Sequence, residues 1–444
     1  MLPVRDIVVL TLILLSLPFC FFRPFFGVLV WMVISLLNPH RFTWGVMYYE
    51  FPVALVVAIP TLAGFLVFSP SFKRFFSRDV FLIVLLWCWF TLTTMRNTQM
   101  PLFQHFAPET WFRWVFVSKI LLMTLATMAI VDTWRRFRYL LLVIVGCVGV
   151  LVLKAVPFMI MTRGADRLHG PQGSMLADNN DFGLALNMTL PMFFFLARIE
   201  VDRRLRWLLT FLVAATIPAI YFTYSRGALV GLAAILVLML LRLRQRLILV
   251  PLLVIAAVFA VFLTPGEWRH RMDFRREGSL LDDSARQRLY AWTYSWNLAR
   301  DHPLTGGGFQ AYTPALYSLY APDRQGLKPF GYVHGPHSVY FGVLAEHGFP
   351  GLFLYLSLVV SCFLTLRKVG RYGRLWKDHP AASYAPMLQF ALAGFLVSGA
   401  FLGRAYFDYY FTLVGCVAIL HRLCRLESEA EDFGGPEAQE EEAA

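Results

Sequence analysis

The chain is a succession of long apolar runs with few breaks, and that pattern limits its fold more than any motif does. A helix of roughly 20 mostly apolar residues spans the hydrocarbon core of a bilayer. Lipid offers no partner for backbone N–H and C=O groups, so a spanning segment is a helix or part of a closed barrel. Barrel strands alternate in character residue by residue, and these runs do not. They fall at about 6–22, 24–37, 51–68, 79–94, 115–131, 138–158, 182–197, 205–223, 227–242, 246–264, 350–366, 384–402 and 405–421. With 58% hydrophobic and 15% charged residues, the chain lacks the polar surface of a soluble protein of 444 residues. The expected fold is an all-α polytopic membrane protein with about 12 transmembrane helices.

The formal charge is +12, yet the stretch after Leu426 contains eight acids and no base, so residues 1–426 carry +20. Arginine supplies nearly all of it, and its distribution sets an orientation. One alternating set of connections holds Lys73, Arg74 and Arg78, then Arg135, Arg136 and Arg138, then Arg198, Arg203, Arg204 and Arg206, then Arg242, Arg244 and Arg246, and last Arg367, Lys368, Arg371, Arg374 and Lys377. The other set is sparse: Arg41, Arg96, Arg113, Arg163, Arg167, Arg226 and Arg404. The dense set is expected to face the cytoplasm. Parity then fits 12 spans with a cytoplasmic N-terminus, or 13 with an outward one.

Four regions follow. Residues 1–264 form an N-terminal transmembrane bundle and 265–349 an outward, periplasmic helical insert. Residues 350–421 return to the membrane, and 422–444 read as an acidic, disordered cytoplasmic tail. The six cysteines show no C-x-x-C or Cys/His metal spacing, so neither a zinc site nor a disulfide frame is indicated. There is no G-x-x-x-x-G-K-[ST] or G-x-G-x-x-G in a strand–helix context, so ATP and dinucleotides are not expected ligands. A reaction on the outer face must draw its energy from its substrate, with no cofactor and no nucleic acid.

The candidate chemistry lies in the outward segments. Arg226, in Tyr224-Ser225-Arg226-Gly227, is wedged between two apolar runs, where a charge calls for a partner or an anionic ligand; snorkelling to headgroups is the bland alternative. Arg163 and Arg167 lie in a polar, glycine-punctuated loop and are candidate phosphate ligands. Asp178 and Asp181 are a thin pair for a metal, and Asn180 or Asp181 as the cap of a helix starting at Phe182 is the favoured reading.

Within the insert, Asp282-Asp283-Ser284 starts a helix expected to run to about Arg300, with an apolar stripe of Ala285, Leu289, Trp292, Trp296 and Ala299. Arg288 projects from the Trp292 side, as a ligand or as a cation–π brace on Trp292, while Arg286 is turned by about 200° toward water. Gly306-Gly307-Gly308 either presents amides to an anion or makes a tight turn. His337 follows Gly335-Pro336 at the expected start of a helix, whose dipole would keep it neutral and able to accept a proton; a capping or surface role is the alternative. His334 and Glu346 are weaker candidates for that role. Arginines and one base without a nucleotide loop suit a lipid diphosphate leaving group and deprotonation of an attacking hydroxyl.

These residues resemble the Wzy-type O-antigen ligase/polymerase superfamily. The resemblance rests on Ser225-Arg226-Gly227 at a span boundary, Arg288-xxx-Trp292, His302-Pro303-Leu304-x-Gly306-x-Gly308, His337-Ser338-x-Tyr340 and Leu344-Ala345-Glu346-His347-Gly348, in that order. Most members have Asn after the histidine. Ser338 there, together with Asn38-Pro39-His40-Arg41, Gly173-Ser174 and Asn179-Asn180-Asp181, is similar to the branch called exosortase-associated O-glycosylation ligases.

The resemblance implies a GT-C-like glycosyltransferase of a bacterial inner membrane, active on the periplasmic side without metal or ATP. It would move a glycan from undecaprenyl diphosphate to an outer-leaflet acceptor, usually lipid A–core. Arg226, Arg288 and His337 take the family's critical positions. Binding roles are expected of Arg163, Arg167, His334, Trp292, Gly306 and Gly308. A polysaccharide polymerase, a protein O-glycosylation ligase and a transporter of lipid-linked glycan remain as alternatives.

Overall fold

The structure, a computed structural model, describes residues 4–43, 52–68, 75–162, 166–242, 283–322, 333–376 and 379–433. Every expected apolar run within those residues folds as a helix. In chain order they are α1 (Val4–Phe22), α2 (Pro24–Met32, its last turn widening to π-type bonding over Val33–Leu37), α3 (Val53–Phe68), α4 (Arg78–Gln99), α5 (Ala107–Ile130), α6 (Trp134–Met161), α7 (Asn179–Ile199), α8 (Arg203–Phe222) and α9 (Arg226–Arg242). After these come α10 (Asp283–Asp301), α11 (Pro314–Tyr320), α12 (Val339–Tyr372), α13 (Ala381–Gly399) and α14 (Asp408–Phe433). Among the described residues, nine of these helices are long and apolar enough to cross a membrane, and Pro24–Leu37 and Val53–Phe68 are shorter apolar pieces. The run expected at 246–264 and the insert's first arginines, Arg269 to Arg276, lie outside the described residues.

Helix α7 is the axis of the bundle. It is buried on nearly every side from Asn179 to Ala197 and packs on α8, α9 and α13. Lipid tails are as apolar as leucine, so association of such helices depends on close backbone approach and interhelical hydrogen bonds. Both occur here. A Cβ at Gly231 of α9 would stand 2.0 Å from Ser398 Oγ and 2.7 Å from Asn187 Nδ2, so glycine lets these helices meet with both side chains as they are. Asn187 Nδ2 donates to the Ala228 carbonyl at 2.8 Å and to Ser398 Oγ at 3.0 Å. Such bonds contribute about 0.6–2 kcal/mol each.

Side-chain contacts bring the helix ends together on two faces. On one, Arg138 bonds both carboxylate oxygens of Glu200 at 2.7 and 2.8 Å. There too, Glu427 accepts from the Trp134 indole and faces His379 Nε2 at 2.9 Å. The expectation of a disordered tail from 422 is corrected here: α14 runs on to Phe433, and Glu427 clasps two other elements.

The opposite face carries the insert. Its helix α10 runs from Asp283 to Asp301, close to the expected limits, but the buried face is not the expected stripe. Tyr290, Ala291, Tyr294, Ser295, Leu298 and Ala299 are buried, whereas Leu289 and Trp296 are exposed. Arg286, expected in water, is half-buried. The tyrosines form a small core of their own. Tyr294 stacks on Tyr317 with centroids 4.0 Å apart, and its hydroxyl donates to the Ala311 carbonyl. Below this core α12 starts at Val339 and continues to Tyr372 through a break at Gly348, where φ is 68°. The expected boundary at 349/350 thus falls beside a kink within one element.

Candidate functional site

Five segments meet on the insert face. The turn between α8 and α9 is organised by Ser225, whose Oγ accepts from the Ala228 amide at 3.1 Å, and it places Arg226 as the first residue of α9. The start of α7 is bound to that turn, because Asn179 Nδ2 donates to the Thr223 carbonyl at 2.6 Å. Asp178 is the cap of α7, accepting from the Asn180 amide at 2.8 Å, so the helix begins three residues before the expected Phe182. Asp181, within the first turn, forms an ion pair with Arg404 at 2.5 Å. Both carboxylates proposed as a metal pair are therefore committed to other work.

The insert approaches from above. Arg288 lies with its guanidinium carbon 5.9 Å from the centroid of Phe401, so its cation–π partner is this ring, on the connection between α13 and α14. Trp292, one turn later, donates its indole N–H to the Pro336 carbonyl at 3.0 Å and stacks on Phe341 at 5.2 Å with an 11° tilt. These contacts hold the segment that presents His337. That residue stands just before α12, with Ser338 at the cap position and φ of 42°, in the left-handed region that residues other than glycine seldom adopt. Such strain concentrates where a side chain must be aimed.

The surroundings of His337 hold its imidazole below the usual range. Desolvation is the largest cause, followed by Arg288 and His334, while Asp178 acts in the opposite sense; the residue is nonetheless exposed at the surface. Arg288, His334 and Asp178 are therefore each near enough to act on the His337 ring.

Residues 401–404 are the part that sequence reasoning missed. A Cβ at Gly227 would stand 3.1 Å from Phe401, and one at Gly403 would stand 3.5 Å from the His337 amide. The connection thus touches the start of α9, the Arg288 side chain, the His337 segment and, through Arg404, the start of α7. Its one sequence signal was Arg404, a lone charge between the last two spans, which had been counted for topology only.

The remaining candidates occupy other positions. His334 is buried, its backbone carbonyl accepting from Tyr317, so it underlies the site rather than lining its mouth. The amides of Gly306, Gly307 and Gly308 donate to the carbonyls of His302, Ala345 and Glu346 at 2.9, 2.8 and 2.9 Å. Of the two readings of this segment, the tight turn is the one observed, and its amides are not available to an anion. Arg167 lines a separate cavity of about 270 Å³ with Lys154 and His169, and none of Arg226, Arg288 or His337 reaches it. Arg163 lies outside the described residues.

Comparison with known proteins gives two regional matches. Residues 4–201 match a family of unknown function, DUF5935. No curated protein matches the chain. Residues 211–356 match the O-antigen ligase family, a segment that includes Arg226, Arg288 and His337. This match makes about a third of the chain similar to the O-antigen ligase family.

Proposed function

We propose that the protein is an O-antigen ligase-type glycosyltransferase that moves a glycan en bloc from undecaprenyl diphosphate to an acceptor hydroxyl, most simply one on lipid A–core. The observation that carries this reading is the convergence of Arg288 and His337 beneath the insert, beside the Arg226 end of α9. Arg226 and Arg288 bind the diphosphate and neutralise the charge that grows on it as the bond to the anomeric carbon breaks. His337 takes the proton of the acceptor hydroxyl as its oxygen forms the new bond to that carbon. Attack opposite the leaving group inverts the anomeric configuration. The diphosphate leaves with the bonding electrons, so neither nucleotide nor metal is required.

The dense arginine face lies in the cytoplasm and the site opens to the periplasm, following the positive-inside distribution. Ser338 and the Asn38-Pro39-His40-Arg41 segment support the exosortase-associated branch. The test is reconstitution of purified protein with lipid diphosphate-linked glycan and acceptor in the presence of EDTA. Mass spectrometry should show one glycan block joined to the acceptor. A ladder of products would assign a polymerase instead, and transbilayer movement of donor without covalent product would assign a transporter.

A further inference from the structure

The face opposite the insert has a cleft that glycan transfer does not use. It lies between the C-terminal ends of α9 and α12 and the start of α13, with a volume of about 280 Å³. Arg242, Arg367, Arg371 and Arg374 line it together with Gln389, and among the described residues no carboxylate lines it. Arg367 and Arg371 share one face of α12 at i, i+4 spacing, and Arg374 follows in the turn just after the helix ends at Tyr372. Arg242 faces them from α9 and contacts the Gln389 side-chain oxygen at 3.3 Å.

Several other arginines on this face have acidic or hydroxyl partners: Arg138 with Glu200, Arg136 with Asp132, Arg425 with Glu429, and Arg78 with Ser361 and Thr365. Four like charges within about one Debye length repel one another unless an anion joins them. The flanking surface is apolar and outward-facing, with Leu241 at 74%, Leu364 at 46% and Trp376 at 48% exposure. An arginine cleft with apolar walls at a membrane boundary matches a phosphate headgroup whose acyl chains remain in the bilayer.

We propose that this cleft binds a membrane lipid whose headgroup carries two phosphates. The number and spread of the guanidinium groups exceed what one phosphate occupies, since each planar fork takes two oxygens of an anion. The bound lipid bridges α9, α12 and α13, the same helices whose opposite ends form the insert-side site.

The experiment is native mass spectrometry of the full-length protein from nanodiscs containing diphosphatidylglycerol or, at equal total phosphate, phosphatidylglycerol. The wild type should retain one diphosphatidylglycerol and release phosphatidylglycerol. R371Q/R374Q, at exposed positions, should weaken retention roughly 25-fold, taking about 1 kcal/mol for each arginine near an anionic surface. R203Q/R204Q, exposed on the same face at the start of α8, should leave it unchanged. Equal loss in both variants would mean diffuse surface charge and would overturn the proposal. So would retention only after removal of residues 434–444, which would make the acidic C-terminal segment the occupant.

Discussion

His337 is exposed at the surface, yet partial desolvation, Arg288 and His334 depress its imidazole against one carboxylate, so its protonation can be read through its neighbours. A general base works only when unprotonated. Because its folded value is depressed, kcat/KM should rise with pH and reach its plateau below the usual imidazole range. R288Q removes one of the depressing charges, so the acidic limb should move to higher pH, beside a rate loss on the order of a hundredfold from the missing diphosphate contact. D178N keeps a good cap for α7 but removes the opposing charge, so the limb should move lower still. A pH–rate profile for the three proteins checks both signs. The Arg404–Asp181 pair gives a second prediction. R404Q leaves a buried carboxylate unpaired and should cost about 1–2 kcal/mol, discounted because Arg404 is about a third exposed. D181N/R404Q should recover most of that in a thermal unfolding cycle. At this scale Arg226, Arg288 and His337 could be singled out from sequence because each sits in a short local pattern. Phe401 and Arg404 were not, since their roles depend on partners more than 100 residues away in sequence.

At the level of elements, the kink in α12 couples the insert to the membrane bundle. Gly348 has φ of 68°, and a Cβ there would stand 2.4 Å from the Pro303 carbonyl oxygen and 2.6 Å from that of Leu304. Phe349 donates its amide to the same Pro303 carbonyl at 2.9 Å. G348A should therefore cost about 1–3 kcal/mol and loosen the insert, giving faster limited proteolysis between α10 and α12 while the bundle stays intact. Helix α10 shows why its existence was legible and its phase was not. Its start, its length and the Arg288–Trp292 row follow from local spacing. The buried face is set by Tyr290 and Tyr294, which hydropathy undervalues because a tyrosine enters a core once its hydroxyl finds a carbonyl, as Tyr294 does with Ala311. That rotates the face by about 130° from the Leu289 stripe.

The whole molecule is a helical bundle with an arginine-dense face and a face on which the insert closes over the ends of α7 and α9. Apolar runs made the bundle legible, because run length and the need to bond every backbone group internally leave few options. Which ends meet was not legible, since close packing through Gly231, Asn187 and Ser398 is a three-dimensional property with no local sign. The functional account predicts that catalysis depends on one imidazole held at that meeting point. The most direct measurement is single-turnover transfer by purified wild-type and H337A proteins, with lipid diphosphate-linked glycan and acceptor at saturation and EDTA present. The account predicts that H337A binds donor as the wild type does and loses transfer by at least about a hundredfold, within the range expected for a general base. Full transfer by H337A would contradict it.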